Sequence, residues 1–542
     1  MKKTLRMKHI FILLLGLSLF SCKKFDEELG IRETDSGVVF VGRKAGGGPV
    51  AKIAEEIEVF AKIGVPDAAL QFYVGNVAVE PLNRESRMVK VPNYNAGDSV
   101  LLPMEVFTFL VPEGATLGPT NVYFTANGVK RTPMELFISK PDILYPGKVI
   151  VEPYIIVKDS EQPVDGPLAT AGVGQLEDIS YDAANKVFYM LEWYTNSSTN
   201  EPYYVVRQLK DSVITTLAGG GDDIDATVGR QRDLGRVLSM KRGPDGKLYL
   251  GVMTGVWYDS YDGQRHRQDR PEIIRLDPAT GNIEHLAGGK TRTGNNYEGI
   301  RDGRENALLS EPSSMTFDPA GNLYFIDKRA LIRKVSTDGM VSTLFGKVDS
   351  FAYETIDYRT GNMTNETFFL PVEEHTDGFG DEARFYGAMK IVMAGNGKLY
   401  VLEEPGWEYQ ENIREINPDT KEVSTIIGQP AGSRSFVYSG TFKEVELSGV
   451  SSFDVDYDGN LLITNFFPLG EQGMIYKMDL QQETVTYLAG GGPRDEASVL
   501  QPQPGNNAAF VYARRIVFDQ FGSLYVVDGQ YGVQIKKITI ER

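Results

Sequence analysis

The stretch from Ser314 to Gly346, "SMTFDPAGNLYFIDKRALIRKVSTDGMVSTLFG", sets short apolar runs between polar turns. "SMTF" and "LYFI" flank the turn "DPAGN", "LIRKV" alternates apolar and polar positions, and "VSTLF" follows the turn "STDG". Runs of four to six residues bounded by Gly, Pro, Asn and Asp predict strands rather than helices. The unit is four strands joined by tight turns.

The chain repeats this unit. Its glycine turn recurs as "GKLYL" from Gly246, "GNLYF" from Gly321, "GKLYV" from Gly397, "GNLLI" from Gly459 and "GSLYV" from Gly522, with a divergent copy, "NKVFYM", from Asn185. The copies lie 61, 75, 76, 62 and 63 residues apart, the spacing of a fixed supersecondary unit with insertions in its loops. A second phrase follows each of the first five: "VITTLAGGG" from Val213, "IEHLAGG" from Ile283, "VSTLFG" from Val341, "VSTIIG" from Val423 and "VTYLAGGG" from Val485.

Four antiparallel strands written six times predict a β-propeller, which protects its strand edges by radial repetition around a channel. The wording resembles the NHL repeat family over residues 150 to 542, most closely in "DGFGDEARFYGAMKIVMAGNGKLYV" (377–401) and "DGPLATAGVGQLEDISYD" (165–182). The last copy ends at "QIKKITIER", a third strand with no fourth behind it. "KVIVEPYIIVKD" (148–159) can supply that strand and staple the ring shut; the alternative is that it ends the preceding domain.

Residues 34–147 do not carry the repeat. "QFYVGNVAVEPLNRESRMVKVP" and "FLVPEGATLGPTNVYFTANGVKRTPMELFISKP" read as alternating strands between Gly, Pro and Asn turns, the patterning of a β-sandwich. The segment resembles the IPT/TIG immunoglobulin-like domain, which implies a spacer or docking module. The expected fold is therefore all-β: an N-terminal Ig-like β-sandwich at 34–147, then a six-bladed NHL-like β-propeller at 148–542.

Composition agrees with a folded β protein: 542 residues, 42% hydrophobic, 24% charged, 57 Gly and 27 Pro. The single cysteine, Cys22, excludes a disulfide framework or a Cys-based metal site. It ends "MKKTLRMKHIFILLLGLSLFSC", a basic start and a short apolar run, which resembles a bacterial lipoprotein signal with Leu19, Phe20, Ser21 and Cys22 in the lipobox positions. On that reading 1–21 is a signal peptide, Cys22 the site of lipid attachment, 22–33 a tether, and the acyl chains the only membrane contact. A plain secretion signal or an uncleaved anchor are the alternatives. Asp26, Glu27 and Glu28 in the tether look like the acidic export tag of Bacteroidetes lipoproteins facing the cell exterior. The formal charge of −17 becomes −21 once Lys2, Lys3, Arg6 and Lys8 are removed, which argues against a nucleic-acid partner.

Candidate chemistry collects on one face. The stretches Gly219 to Val237, Gly288 to Pro312, Gly346 to Ala388, Gly428 to Ser448 and Gly490 to Arg514 are long loops between units. The three tryptophans, Trp193, Trp257 and Trp407, all follow the second strand of a unit, accompanied by Tyr194, by Tyr258 and Tyr261, and by Tyr409. Flat rings in polar loops suit stacking on sugars. The competing role is to cap the apolar wedge between neighbouring sheets.

A catalytic set is thin. His266, His285 and His375 show no metal-ligand spacing, whereas NHL-type lyases depend on histidine-held metal, so no metal or cofactor is expected. Asp327, Glu403, Asn465 and Asp528 share one repeat position and read as structural hydrogen-bonding groups. Glu192 and Glu404 fall off that register and are the acids available to an enzyme. Asp454, Asp456 and Asp458 imitate a calcium loop but have Asn465 where its last ligand belongs, and the "AGGG" runs at Ala218 and Ala489 lack the lysine of a phosphate cradle.

The expectation is a surface lipoprotein that binds a polysaccharide or oligosaccharide without catalysis, beside outer-membrane glycan transporter components. Arrangements of lipoprotein signal, IPT/TIG module and NHL repeats resemble glycan-locus proteins of gut Bacteroidetes. The rivals are a glycoside hydrolase or polysaccharide lyase on the same face, and a protein-docking scaffold.

Overall fold

The computed structural model describes residues 37–43, 50–62, 70–93, 98–126, 128–130, 134–290, 297–357, 359–404, 411–428, 438–447, 449–456, 458–466, 473–492, 501–510, 513–518, 523–529 and 533–541. The signal segment, Cys22, the tether, Trp407 and Tyr409 lie outside them. The fold is all-β, and the chain divides into two compact units between Pro141 and Asp142.

The first unit is two sheets packed face to face. One runs Gly37–Arg43, Glu56–Lys62, Asp98–Leu110, Asn83–Asn93, and the other Val50–Lys52, Met134–Ser139, Gly118–Ala126, Leu70–Val74, Val77–Val79. Alternate residues of both point inward: Ile57, Val59, Phe107 and Phe109 meet Phe72, Val74, Phe124 and Ile138. This period-two burial is what the sequence alternation requires.

Among its described residues the second unit contains six sheets each built on four antiparallel strands, and one two-stranded sheet. Sheet 1 is Gln175–Asp182, Val187–Thr195, Pro202–Lys210 and Val213–Gly219; sheet 2 is Arg236–Arg242, Leu248–Asp259, Arg265–Leu276 and Ile283–Gly288. Sheet 3 is Pro312–Phe317, Leu323–Asp327, Leu331–Val335 and Val341–Phe345; sheet 4 is Ala388–Met393, Leu399–Glu403, Asn412–Asn417 and Glu422–Ile427. Sheet 5 is Val450–Val455, Leu461–Phe466, Gly473–Asp479 and Thr484–Gly490. Sheet 6 is Arg515–Phe518, Ser523–Asp528 and Val533–Ile540, completed by Val149–Asp159. The first strand of each sheet packs on the first strand of the next, and that of sheet 6 on that of sheet 1, so the strands form a closed ring, as in a β-propeller.

The closing strand is the one expected from the missing partner. Val149–Asp159 runs antiparallel to Val533–Ile540 from Val149 opposite Ile540 to Val157 opposite Val533, with a bulge between Pro153 and Ile155. Apolar wedges fill the spaces between sheets. Val187, Leu191 and Val206 of sheet 1 pack on Met240, Leu250 and Ile274 of sheet 2. Ile326 and Phe345 of sheet 3 pack on Ile391 and Val401 of sheet 4. Each such side chain contributes about 1.5–3 kcal/mol when taken from water.

The stretch from Gly346 to Ala388, expected as a loop, carries a two-stranded hairpin, Val348–Ile356 paired with Met363–Pro371. Its strands present polar and apolar residues irregularly, which is why period alone does not reveal it: Phe351 and Phe369 stay exposed while Glu366 is buried.

Candidate functional site

Antiparallel meanders place the turn between strands two and three at the same end as the connection to the next sheet. That end is where the aromatic residues lie. Among the described residues the hairpin between strands two and three of sheet 2 is the longest, pairing without interruption from Leu248 opposite Leu276 to Asp259 opposite Arg265. Its last third stands clear of the core and carries Trp257 and Tyr261, each 54% exposed, with Tyr258 half-buried. The turn is tied by Ser260 N–H to the Gln264 carbonyl at 2.7 Å, and by the Asp262 carboxylate, which accepts from the Ser260 hydroxyl. That hydroxyl holds the Asp262 carboxyl below its usual range.

Cations frame these rings. The Arg265 guanidinium lies 5.2 Å from the Trp257 ring centre, and His266 stacks on Tyr258 at 5.7 Å. Arg359, from the turn of the inserted hairpin, sits 5.1 Å from the Tyr258 ring. Gly361 of the same turn has φ +76° and approaches so closely that an added Cβ would meet the Tyr261 ring at 3.0 Å. Two hairpins from different parts of the chain therefore form one tip, with exposed aromatic faces and guanidinium donors side by side.

Trp193 is half-buried at the end of the second strand of sheet 1, opposite Gln175 and Tyr204, and so lies at the same end of the neighbouring sheet as Trp257. Tyr194 does not join them. It is 3% exposed, and its hydroxyl donates to Glu192 Oε2 at 2.5 Å. Burial and the adjacent Glu192 carboxylate push its phenol well above the usual range. The backbone presses on it too: a Cβ on Gly174 would stand 2.8 Å from the Tyr194 ring. Tyr194 offers no face to a ligand.

The acids resolve into a repeated structural device. Arg207, Arg333, Arg414 and Lys536 stand in the third strands of sheets 1, 3, 4 and 6, opposite Met190, Phe325, Val401 and Val526. Two residues beyond each partner comes Glu192, Asp327, Glu403 or Asp528, all wholly buried. The pairs close at 3.2, 2.6, 3.1 and 2.8 Å.

Glu192 thus holds the same position as the other three, correcting the register in which it stood apart. Phe188, opposite Leu209, holds the place of Leu323, opposite Val335, so Phe188 to Glu192 and Leu323 to Asp327 both take four steps, and the turn before Phe188 is one residue longer than that before Leu323. Burial raises the Glu192 carboxyl even though Arg207 opposes it.

Each arginine also donates to carbonyls of the incoming loop: Arg207 to Gly172 and Val164, Arg333 to Leu308 and Arg301, Arg414 to Arg384 and Thr376. Asp165, Asp302 and Asp377 of those loops bind the arginine and accept from the backbone and hydroxyl of Thr216, Thr343 and Thr425. This network is why the "DG" of the loops and the threonine three residues before the glycine of "TLAG", "TLFG" and "TIIG" recur.

Glu404 is exposed, and its carbonyl accepts from Arg329 at 3.2 Å. Glu411, unmarked by any repeat, is 6% exposed and accepts from the N–H groups of Gly449 and Val450 at 2.9 and 2.8 Å. Burial pushes it up to about 7, with Glu404 adding to the rise. His375 bonds Glu403 Oε2 through Nδ1 at 2.7 Å and Thr425 through Nε2 at 3.1 Å, and so belongs to the sheet 4 network.

The aspartates of the calcium-like run diverge. Asp456 ties its turn by accepting from Asp458 and Asn460, while Asp454 lies 3.7 Å from Lys241 of sheet 2. Among the described residues no three His, Cys, Asp or Glu side chains come together as metal ligands, and no helix is long and apolar enough to cross a membrane. The first "AGGG" run serves close packing: Gly219 has φ +89°, and a Cβ there would lie 2.1 Å from the Tyr204 carbonyl.

No protein-family profile matches the chain, and no curated protein does. Solved structures similar to it include a glucose dehydrogenase (11% identity, 70% of this chain and 99% of that one, TM-score 0.34). The β-propeller domain of the Trilobed protease from Pyrococcus furiosus matches at 10% identity, 68% and 95% coverage, and TM-score 0.31. A DUF4784 family protein from Bacteroides caccae matches at 10% identity over 93% of this chain and 96% of that one, with TM-score 0.26.

Proposed function

We propose that the protein is a non-catalytic, surface-exposed lipoprotein that binds a polysaccharide or oligosaccharide, as part of a glycan uptake system. On this reading the six meander sheets are the blades of a six-bladed NHL-like propeller, the first unit is an IPT/TIG-like module that spaces it from the membrane, and Cys22 carries the lipid.

The observation that carries the reading is the double-hairpin tip. Trp257 and Tyr261 expose broad apolar faces, and Arg265 and Arg359 stand beside them as hydrogen-bond donors, a combination suited to a sugar ring and its hydroxyls. Trp193 extends the surface toward sheet 1, and Trp407 and Tyr409, outside the described residues, are proposed to bind the same ligand. The neutralisation of Glu192, Asp327, Glu403 and Asp528 by buried cations supports binding over hydrolysis, because none of these acids is free to protonate a leaving group or attack a sugar.

A glycan array probed with the full chain, followed by affinity electrophoresis in the best glycan, tests the proposal. Retardation that disappears in Trp257→Ala is the expected result. Release of reducing ends or unsaturated sugars would replace binding by an enzymatic reading, and absence of retardation on every glycan would favour a protein-docking role.

A further inference from the structure

Sheet 2 departs from the device of its neighbours. The residue just past the bulge of the third strand is Arg207, Arg333 or Arg414 in sheets 1, 3 and 4, but Ile274 in sheet 2. Val252 stands where the acid would be, two residues beyond Leu250, the partner of Ile274. His285 replaces the threonine seen as Thr216, Thr343 and Thr425.

Charge enters sheet 2 from the opposite direction. Arg232, on the incoming loop and 5% exposed, reaches Glu272 Oε1 at 2.8 Å. Glu272 lies two residues before Ile274, is 3% exposed, and is also bound by Arg270 at 3.2 Å. Arg270 continues to Asp225 at 3.0 Å.

Ile274 is shorter than the arginine found in sheets 1, 3 and 4. A cavity of about 160 Å3 is lined by Ile274, Ile283, Arg232, Arg270, His285 and Lys290 among others. By the liquid volume of water, roughly 30 Å3 each, it holds about five waters or one molecule the size of a single sugar.

The walls carry more positive than negative charge. Arg232, Arg270 and Lys290 outnumber Asp225 and Glu272 by one. Burial lowers the His285 imidazole, which keeps it neutral while its Nε2 donates to the Gly288 carbonyl at 2.6 Å. Lys290 makes no ion pair among the described residues, and the buried Arg232 Nε has no acceptor. The surplus is notable in a chain of net charge −17.

We propose that this cavity is a binding site for a small carboxylate, up to the size of one hexuronate, with Arg270 and Lys290 meeting the anion and Ile274 and Ile283 receiving its apolar face. The site goes beyond the aromatic tip and does not depend on it. The two share a hairpin all the same: Thr254, bonded to the Arg270 side chain, precedes Trp257 by three residues, about 10 Å along a strand.

Isothermal titration of the full chain with glucuronate, acetate, glucose and inorganic phosphate tests the proposal. Heat of binding is expected with glucuronate, or with both glucuronate and acetate, and none with glucose. Val252→Glu with Ile274→Arg restores the pair of sheets 1, 3 and 4 and fills the cavity, so glucuronate should bind at least about tenfold more weakly. Lys290→Gln, at an exposed position, should weaken binding at least about threefold with folding unaltered, which keeps the test valid if the double variant misfolds. Trp257→Ala should bind glucuronate as the parent does. Silence with both carboxylates, phosphate binding tighter than glucuronate, or equal glucuronate affinity in Lys290→Gln would overturn the proposal.

Discussion

Asp327 and Arg333 lie 2.6 Å apart with no solvent exposure, one on each of two neighbouring strands, and they tie the incoming loop of sheet 3 to its second and third strands. Removing one partner leaves a buried charge uncompensated. Arg333→Ile should therefore lower stability by about 3–5 kcal/mol, read as a shift of the denaturant midpoint. The double variant Asp327→Val with Arg333→Ile copies the Val252 and Ile274 arrangement of sheet 2 and should cost less than Arg333→Ile alone. A double variant worse than the single one would refute the idea that the pair matters as a unit.

Glu411 provides a pH readout. Its carboxyl stands at about 7 when folded against 4.5 when unfolded, so its contribution is complete below 4.5 and is lost as pH rises through 7. The difference corresponds to about 3 kcal/mol. Glu411→Gln should flatten the fall in melting temperature between pH 5 and pH 8 and be the more stable chain at pH 8. Parallel curves for the two proteins would contradict the assignment.

Trp257→Ala and Tyr261→Ala should each weaken glycan binding by about 1–3 kcal/mol without changing the melting temperature, as expected of exposed rings that act on a ligand. Tyr194→Phe should do the reverse. It removes a donor to the buried Glu192 and so lowers stability by about 1–3 kcal/mol while glycan affinity stays the same.

Val151, 3% exposed in the closing strand, packs with Leu524, Val526 and Ile538. Val151→Asp buries an unpaired charge at the seam. Limited proteolysis should then cut first around 149–159 and 533–540, ahead of any site in sheets 2 to 4. First cleavage elsewhere would show that the seam is not the weak point.

Much of this arrangement is legible in the sequence because repetition amplifies weak signals. One turn such as "GNLYF" says little, but recurrence sets the strand order, and the unpaired end at "QIKKITI" calls for the strand at 149–159. The register of Glu192 is hidden by one additional residue in the turn before Phe188, too small a change to see without the paired strands. The sheet 2 cavity is hidden for another reason: Ile274 and Val252 are ordinary strand residues, and their meaning lies in the charged groups that other sheets put there. Glu411 gives no sign at all, since its raised protonation follows from depth and from the neighbouring Glu404, which together outweigh two backbone amides some forty residues later that favour the charged form.

The seam also sets a schedule. Val149 pairs with Ile540, 391 positions apart, and ribosomes add about 5–20 residues per second, so the first-made edge waits on the order of 20–80 s for its complement. Through that interval its apolar side chains have no wedge to enter, and a nascent chain at this stage is a natural client for holdase chaperones. Any lesion that shortens the far end would thus leave an orphan strand near the front of the ring, with aggregation rather than a trimmed but working ring as the outcome.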